Sequence, residues 1–278
     1  MDYIQIIIPS KNLTQELLEI VIAKLSDVGI ESFEEADHEL IAYAPGKKYN
    51  RDAISNFLSD MLLPFEENKL KPKNWNAQWE RSFKEIRIDD RVLIKADFHK
   101  PKNLPEFVIN IHPKMAFGTG HHETTRLMIR HMLNIPLCGK TVLDWGTGSG
   151  VLAILAEKRK ANTVVAVDND VFAVENAKNN ATINGCEKII IKQGDLDVAG
   201  ENETYDLLLA NINKNTLIHH AVSLKDLLKK NAHVLLSGFL MSDVYDIRDA
   251  FEQHGLTFER LLRENDWCAA SFSFAGAS

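Results

Sequence analysis

The chain has little cysteine. Cys138, Cys186 and Cys268 are the only three in 278 residues, an odd number with no C-x-x-C spacing. That argues against a disulfide framework or a structural zinc site and points to a reducing compartment. Long apolar runs are missing as well; none approaches the ~20 residues of a membrane-spanning helix. The opening stretch MDYIQIIIPSKN has no basic region, and Gln5 interrupts its short apolar run, so it does not read as a signal peptide. A soluble cytoplasmic protein with no membrane partner is the expectation. A metalloprotease-type helix is absent: His121, His122 and Glu123 stand together, but H-E-x-x-H would need histidine where Arg126 stands. No metal site is expected, and the histidine pair is read as structural or as facing the substrate. The dinucleotide pattern G-x-G-x-x-G also fails, because its last position is Val151. This disfavours a nicotinamide-dependent oxidoreductase.

Basic excess is lacking too. Lys and Arg number 32 against 39 Asp and Glu, a net charge of −7. The imbalance is local, since residues 1–70 carry 6 basic and 13 acidic side chains and the rest of the chain balances. An acidic module repels free nucleic acid and attracts basic partners. The remaining composition, 45% hydrophobic, is that of a globular protein with a proper core.

The densest signal is KTVLDWGTGSG at 140–150. Val142 and Leu143 read as a buried strand ended by Asp144. Gly146, Gly148 and Gly150 then turn sharply into the helical run VLAILAEKRK. Glycine suits a place where backbone bends and approaches a ligand closely. A second apolar run, Thr163 to Val167, ends in Asp168, 22 residues after Gly146. A ribose-binding acid is expected ~20 residues after a nucleotide-binding glycine turn. The G-x-G-x-G form resembles the first motif of the class I methyltransferases. That resemblance implies that the amino-acid part of S-adenosylmethionine lies over Gly146 to Gly150 and that Asp168 takes the ribose hydroxyls.

Along the chain, residues 3–8 read as a strand closed by Pro9, 14–28 as a helix, 32–44 as a hairpin turning near Ala36–Asp37, and 51–62 as a helix ended by Pro64. With a last strand near Phe65, the order β-α-β-β-α-β suggests a small ferredoxin-like α+β domain at 1–68, whose expected task is recognition. Residues 69–105 read as a connecting segment, with Trp75, Trp79 and Phe83 as a packing stripe and a strand at 91–96. The region 106–278 alternates strand and helix: a strand at FVINIHP, a helix over RLMIRHML, then a helix at 171–183, a strand at 188–192, a strand at 205–210 ending in Asn211, a helix at 215–230, a strand at 233–236, a helix at 243–254 and a hairpin at 257–274. A doubly wound, mostly parallel sheet follows, with its ligand at the carboxyl ends of the strands.

Several stretches together resemble one family: NWNAQWERSF, AFGTGHHETTRL, VLDWGTGSGVLAI, VDNDVFAVENAKNNATING, LLLANI, LLSGFL and Trp267–Cys268. It is that of the ribosomal protein methyltransferases acting on the eleventh large-subunit protein, L-eleven. The resemblance spans roughly residues 74–270 and implies a doubly wound, Rossmann-like class I methyltransferase domain after the small α+β domain. It implies methyl transfer from S-adenosylmethionine to lysine ε-amines and the N-terminal α-amine of L-eleven, free or on the ribosome, by a monomer. It assigns Thr125, Gly146, Asp168 and Asn211 to the cofactor, and with them Gly148, which is less well matched, as are Thr124 and Asp195. Asn211 is also the residue expected to position the target amine. Departures are Trp145 and Thr147 inside the glycine motif, Glu123 in place of a usual proline, and NKNTL after Ile212. Two alternatives stay open: a class I methyltransferase acting on another protein, RNA or a small molecule, and a ribosome-associated binding protein that keeps the fold without the activity.

Overall fold

The computed structural model describes all residues except 1–2, 11–12, 14–16, 19–20, 23, 26–27, 29, 31, 37–38, 46–48, 62, 71–82, 113–117, 201–202 and 277–278. The chain divides into two compact units, Met1–Gln78 and Trp79–Ser278.

The first unit is an antiparallel sheet of β1 (Tyr3–Pro9), β2 (Ser32–Ala36), β3 (Glu39–Pro45) and β4 (Glu66–Leu70), in the order β2-β3-β1-β4. This is the ferredoxin-like arrangement. Side chains alternate across a strand, so Ile4, Ile6 and Ile8 share one buried face and lie opposite Ala44, Ala42 and Leu40. Helix α1 (Arg51–Asp60) starts at Asn50, whose side chain accepts the Ala53 N–H, and turns Ile54 and Leu58 into that core. Of the helix expected at 14–28, residues 17–18, 21–22 and 24–25 are helical, Val28 stands in a turn, and the gaps lie outside the described residues. The hairpin of β2 and β3 is present, with its turn at 37–38 also outside them.

The second unit opens with a three-stranded sheet of β5 (Ile86–Ile88), β6 (Val92–Lys95) and β7 (Phe107–Asn110). β5 is too short for a periodicity to reveal it. Trp75 and Trp79 of the expected stripe lie outside the described residues; Phe83 is buried and meets the His121 ring edge-on at 4.5 Å. Helix α2 (Glu123–Met132) follows. The central sheet contains β8 (Thr141–Trp145), β9 (Thr163–Asp168), β10 (Ile189–Gln193), β11 (Tyr205–Asn211), β12 (Leu228–Leu240), β13 (Leu256–Glu264) and β14 (Trp267–Phe274) in the order β10-β9-β8-β11-β12-β14-β13. The first five are mutually parallel, and β14 runs antiparallel to β12 and β13. β8 and β11 are nearly continuous buried runs because both faces of a parallel sheet are covered. Helices α3 (Val151–Lys158), α4 (Val171–Ile183) and α7 (Val244–Glu252) lie where the periodicity expects them.

One expected element is wrong. The helix at 215–230 is two short ones, α5 (Lys214–His219) and α6 (Ala221–Asp226), and Leu228 already belongs to a 13-residue β12. The apolar spacing in this stretch suits a helix, but Leu228 pairs with Tyr205, and Lys229 Nζ donates to Asp206 at 3.0 Å. Sheet pairing overrides local periodicity here. Among the described residues no helix is long and apolar enough to cross a membrane.

Candidate active site

Strands β8, β9 and β11 end together, and a cavity of about 350 Å³ opens beyond their carboxyl ends. Thr125, Gly146, Gly148, Asp168 and Asn211, distant in sequence, all line it. Thr124 is buried beside it, with its hydroxyl 2.8 Å from His122 Nδ1. The lining also includes Gly118, Trp145, Asp195, Ile212, Asn213 and Thr216. Asn213 and Thr216 carry no motif of their own. They are there because Asn213 caps α5 through the Thr216 N–H, at 3.0 Å, where the chain leaves β11.

The glycine turn is held by the protein's own hydrogen bonds. Gly146 and Thr147 N–H groups donate to Val167 O at 2.8 and 3.0 Å, and Gly148 N–H donates to Asp168 Oδ2 at 2.8 Å. Gly146 has φ +75°, and a Cβ there would overlap Ile212 Cγ2, so backbone and the residue after Asn211 touch directly. Gly150, at φ +79°, leaves only 3.2 Å between an added Cβ and Ala177 Cβ; this position lets α3 start against α4. Asp168 Oδ1 accepts the Asp170 N–H at 3.0 Å. The same carboxylate that faces the cavity therefore also shapes its floor.

Asp144 is fully buried. It accepts from the Thr147 hydroxyl at 2.6 Å and the Ala153 N–H at 3.2 Å. Burial pushes its carboxyl up to about 6, outweighing those two hydrogen bonds. The folded state thus holds this proton more tightly than the unfolded chain. The destabilisation is fully present above pH 6 and fades as pH falls toward the ordinary carboxylate range. A shift of this size corresponds to about 3 kcal/mol. Asp144→Asn keeps an acceptor and loses the charge, so urea unfolding should show it gaining on wild type by roughly that amount at pH 8 and by little at pH 4. An equal difference at both pH values would show that Asp144 is not a high-pKa group.

Asn211 closes β11. Its Nδ2 donates to Thr125 Oγ1 at 3.4 Å, while Oδ1 is buried with no hydrogen-bond partner among the described residues. A buried orphan acceptor costs about 1–3 kcal/mol unless something donates to it. Asn211 lines the cavity next to the glycine turn, with this acceptor buried at the end of β11.

The histidine pair does other work. His122 caps α2 by accepting the Thr124 N–H at 3.3 Å, and its ring meets Trp267 edge-on at 4.6 Å. His121 stays below its ordinary pKa through burial and the Arg126 charge. Among the described residues no group of three His, Cys, Asp or Glu is placed to share a metal ion. Glu123 is the first residue of α2, a position where proline and an acid are both favourable. Its own backbone N–H and the Asn265 amide hold its carboxyl below the usual range.

Comparison with known proteins gives the family. The family model described as ribosomal protein L11 methyltransferase (PrmA) matches residues 10–274. The ribosomal protein L11 methyltransferase of Bacteroides fragilis is 35% identical over 98% of this chain and 99% of that protein. That of Chlorobaculum tepidum is 40% identical over 92% of each. The crystal structure of the ribosomal protein L11 methylase from Lactobacillus delbrueckii subsp. bulgaricus superposes with a TM-score of 0.64 at 27% identity, covering 70% of this chain and all of that one. With most of its length matched by the family model and by both relatives, the chain belongs to the ribosomal protein L11 methyltransferase family.

Proposed function

We propose that this protein transfers methyl groups from S-adenosylmethionine to lysine ε-amines and the N-terminal α-amine of ribosomal protein L11, free or on the ribosome, acting as a monomer in the cytoplasm. The observation that carries the reading is one cavity lined together by Thr125, Gly146, Gly148, Asp168 and Asn211, the last with a buried side-chain oxygen that has no hydrogen-bond partner among the described residues. That donor and acceptor set fits the cofactor: side-chain-free backbone for close approach at Gly146 and Gly148, a carboxylate for hydroxyl donors at Asp168, and the Thr125 hydroxyl.

When bound, S-adenosylmethionine supplies a methyl group already activated by the sulfonium charge. The protein's task is to present a neutral amine in line with it. A free lysine has a pKa near ~10.4, and a desolvated place beside a positive charge lowers it. Val151, Leu152 and Ile212 give the cavity an apolar portion that excludes water. Asn211 Oδ1 is the acceptor for an amine N–H, which would orient the nitrogen lone pair toward the methyl group.

Asp168→Ala should weaken S-adenosylmethionine binding by about 1–3 kcal/mol, the range for losing hydrogen bonds to a charged acceptor. Asp168→Asn should lose less, because it keeps one acceptor for the Gly148 N–H. Calorimetric titration of the folded variants checks this, and unchanged affinity in Asp168→Ala would remove Asp168 from the cofactor site.

A further inference from the structure

Trp145 and Asp195 come from different strand ends and meet at the cavity. Trp145 closes β8, is 5% exposed, and lines the space. Its indole Nε1–H donates to Asp195 Oδ1 at 2.8 Å. The Leu196 N–H donates to the same oxygen, also at 2.8 Å. Asp195 Oδ2 accepts no protein hydrogen bond among the described residues. One oxygen is thus clamped by two donors while the other stays available to a ligand. The His220 ring meets the indole edge-on at 5.2 Å, and Val167 and Leu208 belong to the same apolar cluster, so the indole has little freedom.

We infer that Trp145 is a positioning residue that fixes the Asp195 carboxylate against the amino-bearing edge of the cofactor's base. The inference rests on the proposed cofactor reading and adds a residue to it. The strand order β10-β9-β8-β11 supplies the direction. Asn211 and the glycine turn stand at the ends of β11 and β8, Asp168 at the end of β9, and Asp195 follows β10. A ligand with its amino-acid part over the turn and its ribose at Asp168 has only its base left to reach Asp195. An ionised carboxylate accepts and cannot donate, and on adenine the exocyclic amine is the donor. A buried tryptophan ordinarily finds a partner for its N–H. Here the partner is a cavity-lining carboxylate rather than a backbone carbonyl of the core.

The test is calorimetric binding of S-adenosylhomocysteine and of its inosine counterpart, in which an oxo group replaces the amine, to wild type, Trp145→Phe, Asp195→Ala and the double variant. The expected result is about a tenfold loss for S-adenosylhomocysteine in Trp145→Phe, with little change for the inosine ligand. Asp195→Ala should lose at least as much, and the double variant no more than Asp195→Ala, since Trp145 acts through Asp195. An equal loss for both ligands in Trp145→Phe, or losses that multiply in the double variant, would reduce Trp145 to core packing. Wild type that binds neither ligand would overturn the cofactor reading and this inference together, whereas selective wild type beside an equally selective Trp145→Phe overturns the inference alone. If Trp145→Phe does not fold, the indole N–H resonances of the four tryptophans give a second readout. Asp195→Ala should move one of them. S-adenosylhomocysteine should move that same resonance in wild type and the inosine ligand should not; a resonance indifferent to both overturns the proposal.

Discussion

A chain beginning at Lys71 is expected to bind S-adenosylmethionine as tightly as the whole protein and to leave ribosomal protein L11 unmethylated. Two observations motivate this. Among the described residues, the apolar clusters of the second unit draw on residues from Phe83 onward, and the cavity lining runs from Gly118 to Thr216. The first unit has its own core of Ile6, Ile8, Leu40, Ile54 and Leu58, and residues 1–70 within it carry the chain's whole acidic excess. An acidic surface steers a basic protein through long-range attraction that salt screens, with a Debye length of ~10 Å at 0.1 M and ~3 Å at 1 M. The whole enzyme should therefore show a salt-sensitive rate on L11 beside a nearly salt-insensitive cofactor affinity. Single-turnover methylation assays with and without residues 1–70 measure both. Full activity of the shortened chain on L11 would contradict a recognition role for the first unit.

Gly146→Val should cost the most of any single change in the cavity floor. A non-glycine residue in the left-handed region costs ~1–2 kcal/mol, and forcing a side chain into a packed neighbour costs a further ~1–3 kcal/mol. Here the neighbour is Ile212, so relief of the overlap displaces the residue next to Asn211. Cofactor affinity should fall by at least thirtyfold, with Gly146→Ala at the lower end of the range. Gly139→Ala is the control: it has a similar φ of +76° but nothing within 4 Å of an added Cβ, so it should lower the melting temperature slightly and leave affinity alone. Cofactor titration and thermal melts of the three variants decide this, and near-normal binding by Gly146→Val would contradict the close packing of the turn on Ile212.

The residues that line the candidate site are more legible in the sequence than parts of the fold. Gly146, Gly148 and Asp168 announce themselves because a fixed backbone geometry dictates both residue type and spacing. Asn211 is legible as the polar stop of the buried run YDLLLA. Thr125 rested on resemblance alone, since a threonine in the first turn of α2 has no spacing rule of its own. Trp145 stood out only as a departure from its family, and its contact with Asp195 spans 50 residues that no local pattern links. Asp144 reads as the end of its strand, whereas β8 runs one residue further to Trp145, and its buried, proton-retaining character depends on packing around it. The misread helix at 215–230 failed for a related reason: the pairing of Leu228 with Tyr205 is non-local.

The central claim is most directly tested by intact-mass spectrometry of ribosomal protein L11 incubated with the enzyme. The expected result is mass gains of whole methyl groups on L11 that require S-adenosylmethionine, map to lysine and N-terminal amines, and shrink with Asp168→Ala. An unchanged L11 mass in the presence of folded, cofactor-binding enzyme would contradict it.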